Sequence, residues 1–132
     1  MHFDERDALL ISGASKRAGV NECFAVATEP LEGLPSCYRV PTSAEGLLAF
    51  SRECGTFYFA LVPATRLFTI LCTPDDYFLV AGPRDFVTGA IGCDIKRGRD
   101  IFFQFAASDE WPESVSRYLT SVAEKYERFD GK

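Results

Sequence analysis

Three short apolar runs near the middle of the chain constrain its fold more than any other feature. They span residues 56–62, 67–72 and 77–82, and they are rich in the aromatic and β-branched residues that favour strands. Only four residues separate each run from the next. Because a parallel crossover needs about a dozen residues or more, the three runs are predicted to form an antiparallel meander.

The sequence TPDD between the second and third runs is typical of a tight turn. Pro74 presets the backbone angle of a type I turn, and Asp75 and Asp76 suit its later positions. This turn role is a simpler interpretation of the two carboxylates than an acid–base pair. The runs are apolar on both faces, which predicts that helices cover at least one side of the sheet.

Two more strands are predicted upstream, at residues 22–28 and 36–41. The loop EPLEGLPS, with its prolines and glycine, separates them, and they can pair as antiparallel neighbours. The sequence therefore predicts a five-stranded, mainly antiparallel sheet.

Helix signals flank these strands. In the segment 42–55, Thr42 and Glu45 have the spacing of a capping box, and Gly55 can supply a left-handed C-terminal cap. A shorter helix is predicted over residues 83–92, where Pro83 opens the helix and Gly92 stops it.

Three further segments have helical character. The strongest is 109–129, whose apolar residues recur on one face. The segment 4–19 is ambiguous, since its charges suit a helix dipole but Gly13 weakens a helix. The segment 94–107 is undecided between helix and strand, and the spacing of its apolar residues favours a helix.

The resulting order is α-β-β-α-β-β-β-α, with room for an extra helix before the last. We therefore predict one α+β domain over residues 1–132. This order resembles the profilin-like and roadblock class of small α/β sandwiches and, more distantly, the PAS and GAF sensor folds. The resemblance is one of element order and assigns a function to no residue.

The segment ALLISGASKRAGV, residues 8–20, has some features of the strand and glycine-rich turn of a dinucleotide-binding dehydrogenase. Arg17, however, stands where such a turn needs a glycine, and no βαβ unit follows. The chain also lacks a P-loop. We expect a plain helix or loop here and no binding of NAD, NADP or ATP.

The residues usual in catalysis are scarce. The only histidine, His2, lies beside the first residue, so Ser–His and Cys–His nucleophile pairs and a histidine metal centre are disfavoured. Five cysteines occur without a CxxC pair, which indicates neither a zinc site nor a disulfide framework. We predict a non-catalytic chain with no cofactor and no metal, and with five reduced thiols, Cys23, Cys37, Cys54, Cys72 and Cys93.

Four basic residues are candidate contacts for an anion or ligand. Arg84 lies in the first turn of the predicted helix 83–92, where free backbone amides can bind an anion. Lys96, Arg97 and Arg99 form a basic cluster in an acidic protein. A solvated surface is the simpler interpretation of these charges.

The net charge of −5 disfavours nucleic acid and anionic membranes as partners. The acidic N-terminus and the absence of a long apolar window predict a cytoplasmic protein. The first functional hypothesis is a protein-binding module, such as an immunity, antitoxin-like or adaptor protein, whose acidic and aromatic surface meets a basic partner. The second is a small-molecule sensor with a phenylalanine-lined pocket, and an enzyme is the least favoured.

Overall fold

A computed structural model describes residues 3–29, 32–33, 37–75, 77–108 and 110–127. The predictions that involve His2, Asp76, Asp109 and positions 128–129 lie outside these ranges. The chain divides into two compact units, Met1–Gly92 and Cys93–Lys132. The single domain expected over 1–132 stays a prediction, and each unit is described by itself below.

The α+β class and the five-stranded antiparallel sheet are confirmed. In the described part of the first unit, the helices and strands are α1 (Glu5–Arg17), β1 (Glu22–Ala27), β2 (Cys37–Pro41), α2 (Ala44–Cys54), β3 (Phe59–Val62), β4 (Thr69–Cys72), β5 (Phe78–Ala81) and α3 (Arg84–Ile91).

The sheet is open and has the strand order β2-β1-β3-β4-β5. All four neighbouring pairs are antiparallel, so the predicted meander of β3, β4 and β5 is confirmed, as is the pairing of β1 with β2. The strand β1 joins the two parts by pairing with β3, with Phe24 opposite Val62.

One face of the sheet carries the core of the first unit. Because side chains alternate along a strand, the register places Ala25, Leu61 and Ile70 on this core face. All three helices contribute to the same core, through residues such as Ile11, Phe50 and Phe86. The strand residues of the core face that belong to this cluster or pack against it are Cys23, Ala25, Ala27, Tyr38, Val40, Phe59, Leu61, Ile70, Cys72, Phe78 and Val80.

The segment 8–20 is not a strand and glycine-rich turn, because α1 includes all of its residues up to Arg17. Asp4 caps the helix: its carboxylate accepts a hydrogen bond from Asp7 N (2.7 Å), and the Asp7 carboxylate accepts one from Asp4 N (3.2 Å). This reciprocal capping box satisfies amides that the first turn otherwise leaves unpaired. The ambiguous first segment is therefore a helix.

Two details predicted for α2 are wrong. Thr42 does not cap the helix, because it is buried and its hydroxyl donates to the Val20 carbonyl (3.0 Å). Ser43 is the cap and accepts from Gly46 N (3.1 Å). Gly55 is not left-handed, since its φ of −65° lies in the right-handed helical region.

The helix α3 follows the prediction closely. Pro83 stands at the N-cap position, and Gly92 ends the helix with a left-handed φ of 75°. Gly89 lies against α1, since a Cβ atom on it would approach the Ala14 Cβ to 3.3 Å. This close approach explains a glycine inside a short helix, where it otherwise costs stability.

The second unit is a helical hairpin of α4 (Ile95–Ala106) and α5 (Glu113–Glu127). The undecided segment 94–107 is thus a helix, and Asp94 caps it by accepting from Arg97 N (2.8 Å). The connection is fixed to α4, because Trp111 Nε1 donates to the Phe105 carbonyl (3.0 Å).

Candidate functional site

The most exposed large apolar side chain in the described ranges is Leu9 on α1, with an exposed fraction of 58%. It lines a shallow surface hollow whose accessible surface is mostly carbon. We call the five residues that line this hollow the α1 patch, and they are Asp4, Glu5, Arg6, Leu9 and Leu10.

Helix geometry explains why Leu9 faces outward. The buried residues of α1 are Ala8, Ile11, Ala14 and Ser15, which recur every three or four residues. At about 100° per residue, Leu9 lies roughly 150° around the helix from the middle of that stripe. Glu5 is one turn earlier on the same side and is also exposed. The spacing of the buried residues thus leaves the apolar side chain of Leu9 next to the carboxylate of Glu5 on the outer surface of α1.

Contacts on both sides fix the position of α1. Before the helix, the buried Phe3 donates its backbone N–H to Ser51 Oγ of α2 (2.6 Å), and its ring meets Phe78 edge-on at 5.3 Å. Beside the helix, the side chains of Arg6 and Leu10 lie against Gly92 at the end of α3, within 3.3 Å of where a Cβ atom would stand. The α1 patch therefore belongs to the helical layer of the first unit.

Acidic residues dominate the rim of the patch. Asp4 and Glu5 are exposed, and Asp7 lies half-buried beside them. Burial raises the pKa of Asp7, and the neighbouring Asp4 carboxylate raises it further, although the backbone N–H of Asp4 opposes the shift. Three carboxylates, those of Asp4, Glu5 and Asp7, thus lie at the N-terminal end of α1, where the helix dipole favours negative charge.

The predicted anion contacts belong to two different units of the chain. Arg84 is the exposed first residue of α3 in the first unit, whereas Lys96, Arg97 and Arg99 lie in the first two turns of α4 in the second unit. Lys96 and Arg99 share one side of α4, since they are three residues apart, and Arg97 lies on another side. The anion-binding role of these four residues stays a prediction.

Buried cysteines lack the properties of nucleophiles. Burial raises the pKa of Cys72 to about 12 and that of Cys23 to about 11, and it also raises the pKa of Cys54. A catalytic thiol needs the opposite shift, because the thiolate is the reactive form. All five cysteines are free thiols in the structure, and Cys37 is the exposed one.

Other groups that could support chemistry are dispersed. No group of three or more His, Cys, Asp or Glu residues within the described ranges could hold a metal ion. Asp75 accepts a hydrogen bond from the Tyr58 hydroxyl (3.1 Å), which joins the turn before β5 to the segment before β3. The buried Ser15 Oγ has no hydrogen-bond partner among the described residues.

A sensor would need an enclosed pocket. Two hollows in the described part of the chain are both shallow: the α1 patch and a hollow along α5, between Glu113 and Glu124, that polar residues line. None of the described helices is long and apolar enough to cross a membrane.

Comparison of the chain with protein-family models, curated proteins and solved structures found no match. The functional argument therefore depends on the surface itself. Sequence reasoning placed the candidate contacts on basic residues and missed the α1 patch. The signal was present, because Leu9 and Leu10 interrupt the polar side of a helix whose buried stripe can be read from Ala8, Ile11 and Ala14.

Proposed function

We propose that this chain is a non-catalytic protein-binding module of the cytoplasm, of the adaptor or immunity kind. The α1 patch contacts a protein partner that has a basic surface. The observation that carries the proposal is Leu9, an apolar side chain that is 58% exposed and bordered by the exposed Asp4 and Glu5.

An apolar centre with a charged rim is the usual anatomy of a protein interface. Burying a leucine side chain contributes about 1.5–3 kcal/mol, which suits a central contact. The carboxylates at the rim add less affinity, but they attract a basic partner and raise the association rate. The first unit as a whole has eleven acidic and seven basic residues, so its long-range field has the same sign as the rim.

The test begins with capture of partners from the native lysate on the immobilised full chain, followed by titration of the captured protein. We expect Leu9→Ala to weaken binding about tenfold, which corresponds to ~1.4 kcal/mol. Leu67→Ala is the matched control, because Leu67 is also an exposed leucine, at 40%. It should change the dissociation constant less than about twofold.

Charge is tested separately. We expect Glu5→Lys to lower the association rate, and added salt to do the same in the unaltered chain, because salt screens exposed charges beyond ~8 Å at physiological ionic strength. A partner that binds Leu9→Ala as tightly as the unaltered chain would contradict the proposal. A purified chain that retains no protein but carries a small molecule in native mass spectrometry would favour the sensor hypothesis instead.

A further inference from the structure

The sheet has a second apolar face that lies outside the core. The register places Phe24 beside Val62 and Val26 beside Ala60 on this face, opposite to the side chains of the core. The same register adds Leu71 and Leu79 from β4 and β5. We call this surface the second face, and the six apolar residues at its centre are Phe24, Val26, Ala60, Val62, Leu71 and Leu79.

None of these six residues belongs to the core cluster, to which α1, α2 and α3 all contribute. Val26 is 43% exposed, and the other five are half-buried. A contiguous apolar surface of this kind is rare in an isolated soluble protein and usually marks an interaction site.

The charges on the second face indicate what covers it. Among the strand residues whose side chains belong to this face, only Glu22 and Arg39 are charged, and both are exposed. Neither forms an ion pair within the part of the chain that the structure describes. The face therefore has no net charge, unlike the acidic α1 patch, and it carries one group of each sign.

We infer that a second copy of this chain binds the second face, so that the two sheets pack face to face around a two-fold axis. In such a contact each pair of groups occurs twice: Arg39 of either copy meets Glu22 of the other. A surface with one cation and one anion is complementary to itself. A basic partner would instead place a like charge against Arg39, and an acidic partner would place one against Glu22.

The register is compatible with this axis. Arg39 lies opposite Phe24, and Glu22 is two residues away from Phe24 along β1, so the two charged residues are diagonal neighbours about 7–8 Å apart. With strands ~4.8 Å apart and alternate residues ~6.8 Å apart, the line that bisects this diagonal crosses β3 between Ala60 and Val62. A two-fold axis along this line pairs Arg39 of each copy with Glu22 of the other. The same axis also places the apolar centre of one second face against that of its partner.

The size of the face sets the strength of the dimer. Five strands of four to six residues cover roughly 24 by 17 Å, or about 400 Å² for each copy. Stable complexes bury about 800 Å² for each partner, so the dimer should be weak and dissociate at micromolar concentrations.

Charge reversal in the full-length chain tests this inference by analytical ultracentrifugation between about 5 μM and 1 mM. We expect the unaltered chain to show a concentration-dependent monomer–dimer equilibrium. Arg39→Glu and Glu22→Arg should each raise the dimer dissociation constant at least about tenfold, because each variant opposes like charges twice. Arg52→Glu, on the exposed side of α2, is the matched control and should leave the equilibrium unchanged.

The decisive sample is an equimolar mixture of the two reversed chains. In the mixed dimer, the glutamate introduced by Arg39→Glu in one chain meets the arginine introduced by Glu22→Arg in the other. The native Glu22 of the first chain then meets the native Arg39 of the second, so the mixture should dimerise to within about threefold of the unaltered chain.

Two kinds of result would overturn the inference. The first is an unaltered chain that stays monomeric up to about 1 mM, the upper end of the range in which a weak contact is measurable. The second is a dimer that the single reversals do not weaken, or that the mixture does not restore, because its contact would lie elsewhere.

Discussion

The two faces of the sheet have similar composition and different surroundings. On the core face, Phe59, Leu61 and Ile70 are each only 1% exposed, because helices pack over them. On the second face, Ala60, Val62 and Leu71 alternate with those residues along the same strands, yet they lie outside the core. Apolarity alone therefore does not say which face of a sheet is covered.

The position of the helices decides which side of the sheet becomes the core. Both faces are apolar enough to be buried, and the three helices of the first unit cover only one of them. The same strands thus carry two sets of side chains: one set stabilises the fold of the first unit, and the other lies outside its core. Substitutions at matched positions of the two faces test this difference.

The largest effect is expected from phenylalanine truncation. Phe59→Ala should lower the free energy of unfolding by about 4 kcal/mol, because it leaves a cavity among Phe50, Tyr38 and their neighbours. Phe24→Ala makes the same change on the second face and should cost less than about 2 kcal/mol. Urea denaturation of both variants at low protein concentration measures the difference. Equal losses would show that the second face is as well covered as the core.

A glycine pair gives the next largest effect and tests how closely the helices lie on the core side. A Cβ atom on Gly46 would collide with the Pro41 carbonyl and approach the Pro41 Cβ to 2.8 Å, so Gly46→Ala should destabilise the chain by about 2 kcal/mol. In α1, a Cβ atom on Gly13 would meet only the flexible end of Arg17 at 3.3 Å.

Gly13→Ala should therefore show the opposite sign and stabilise the chain by about 0.5–1 kcal/mol, as alanine does relative to glycine inside a helix. Thermal unfolding of both variants is the measurement. A neutral or stabilising Gly46→Ala would mean that α2 does not approach β2 as closely as the structure shows.

The smallest effect expected is on the pH dependence of the free energy of unfolding, which should differ between a thiol on the core face and one on the second face. Burial raises the pKa of Cys72 to about 12, against an ordinary value of 9.0. The unfolded chain then binds fewer protons than the folded chain above pH 9, so stability is full below pH 9 and is lost as the pH rises toward 12. Each such thiol contributes a slope of ~1.4 kcal/mol per pH unit.

Cys72→Ala should therefore reduce the slope of unfolding free energy between about pH 10 and 11 by about 1 kcal/mol per unit. Cys37→Ala is the control, because Cys37 is exposed on β2. Tyr38, whose pKa burial also raises, titrates in both variants and cancels in the comparison. Identical slopes in the two variants would show that Cys72 is accessible to water in the folded chain.

Connection lengths allowed the sheet to be predicted from the sequence. The short links between residues 56 and 82 permit only antiparallel neighbours, and β3, β4 and β5 are indeed neighbours of this kind in the structure. The details that failed depend on distant contacts. Thr42 has the spacing of a capping residue, but its hydroxyl donates a hydrogen bond to the Val20 carbonyl. Ser43 therefore caps α2 instead.

The candidate surfaces were harder to predict for the same reason. Sequence reasoning selected Arg84 and the basic cluster in 96–99 because charge is visible in a sequence, whereas exposure is not. The exposure of Leu9 depends on which side of α1 meets the sheet, and the separation of the two faces depends on the register of β1 against β3. Periodicity constrains both features, and only the assembled unit determines them.

The strand order also has a kinetic consequence. The pairs β3–β4 and β4–β5 close short connections, whereas β1–β3 joins Phe24 to Val62 across the whole of β2 and α2. Closing the longer segment costs roughly 1.5 kcal/mol more in chain entropy. We therefore expect the meander to form first and the β1–β2 hairpin to add to it later, near the rate-limiting step. On this route β3 is for a time an unpaired edge, and its docking with β1 completes the sheet.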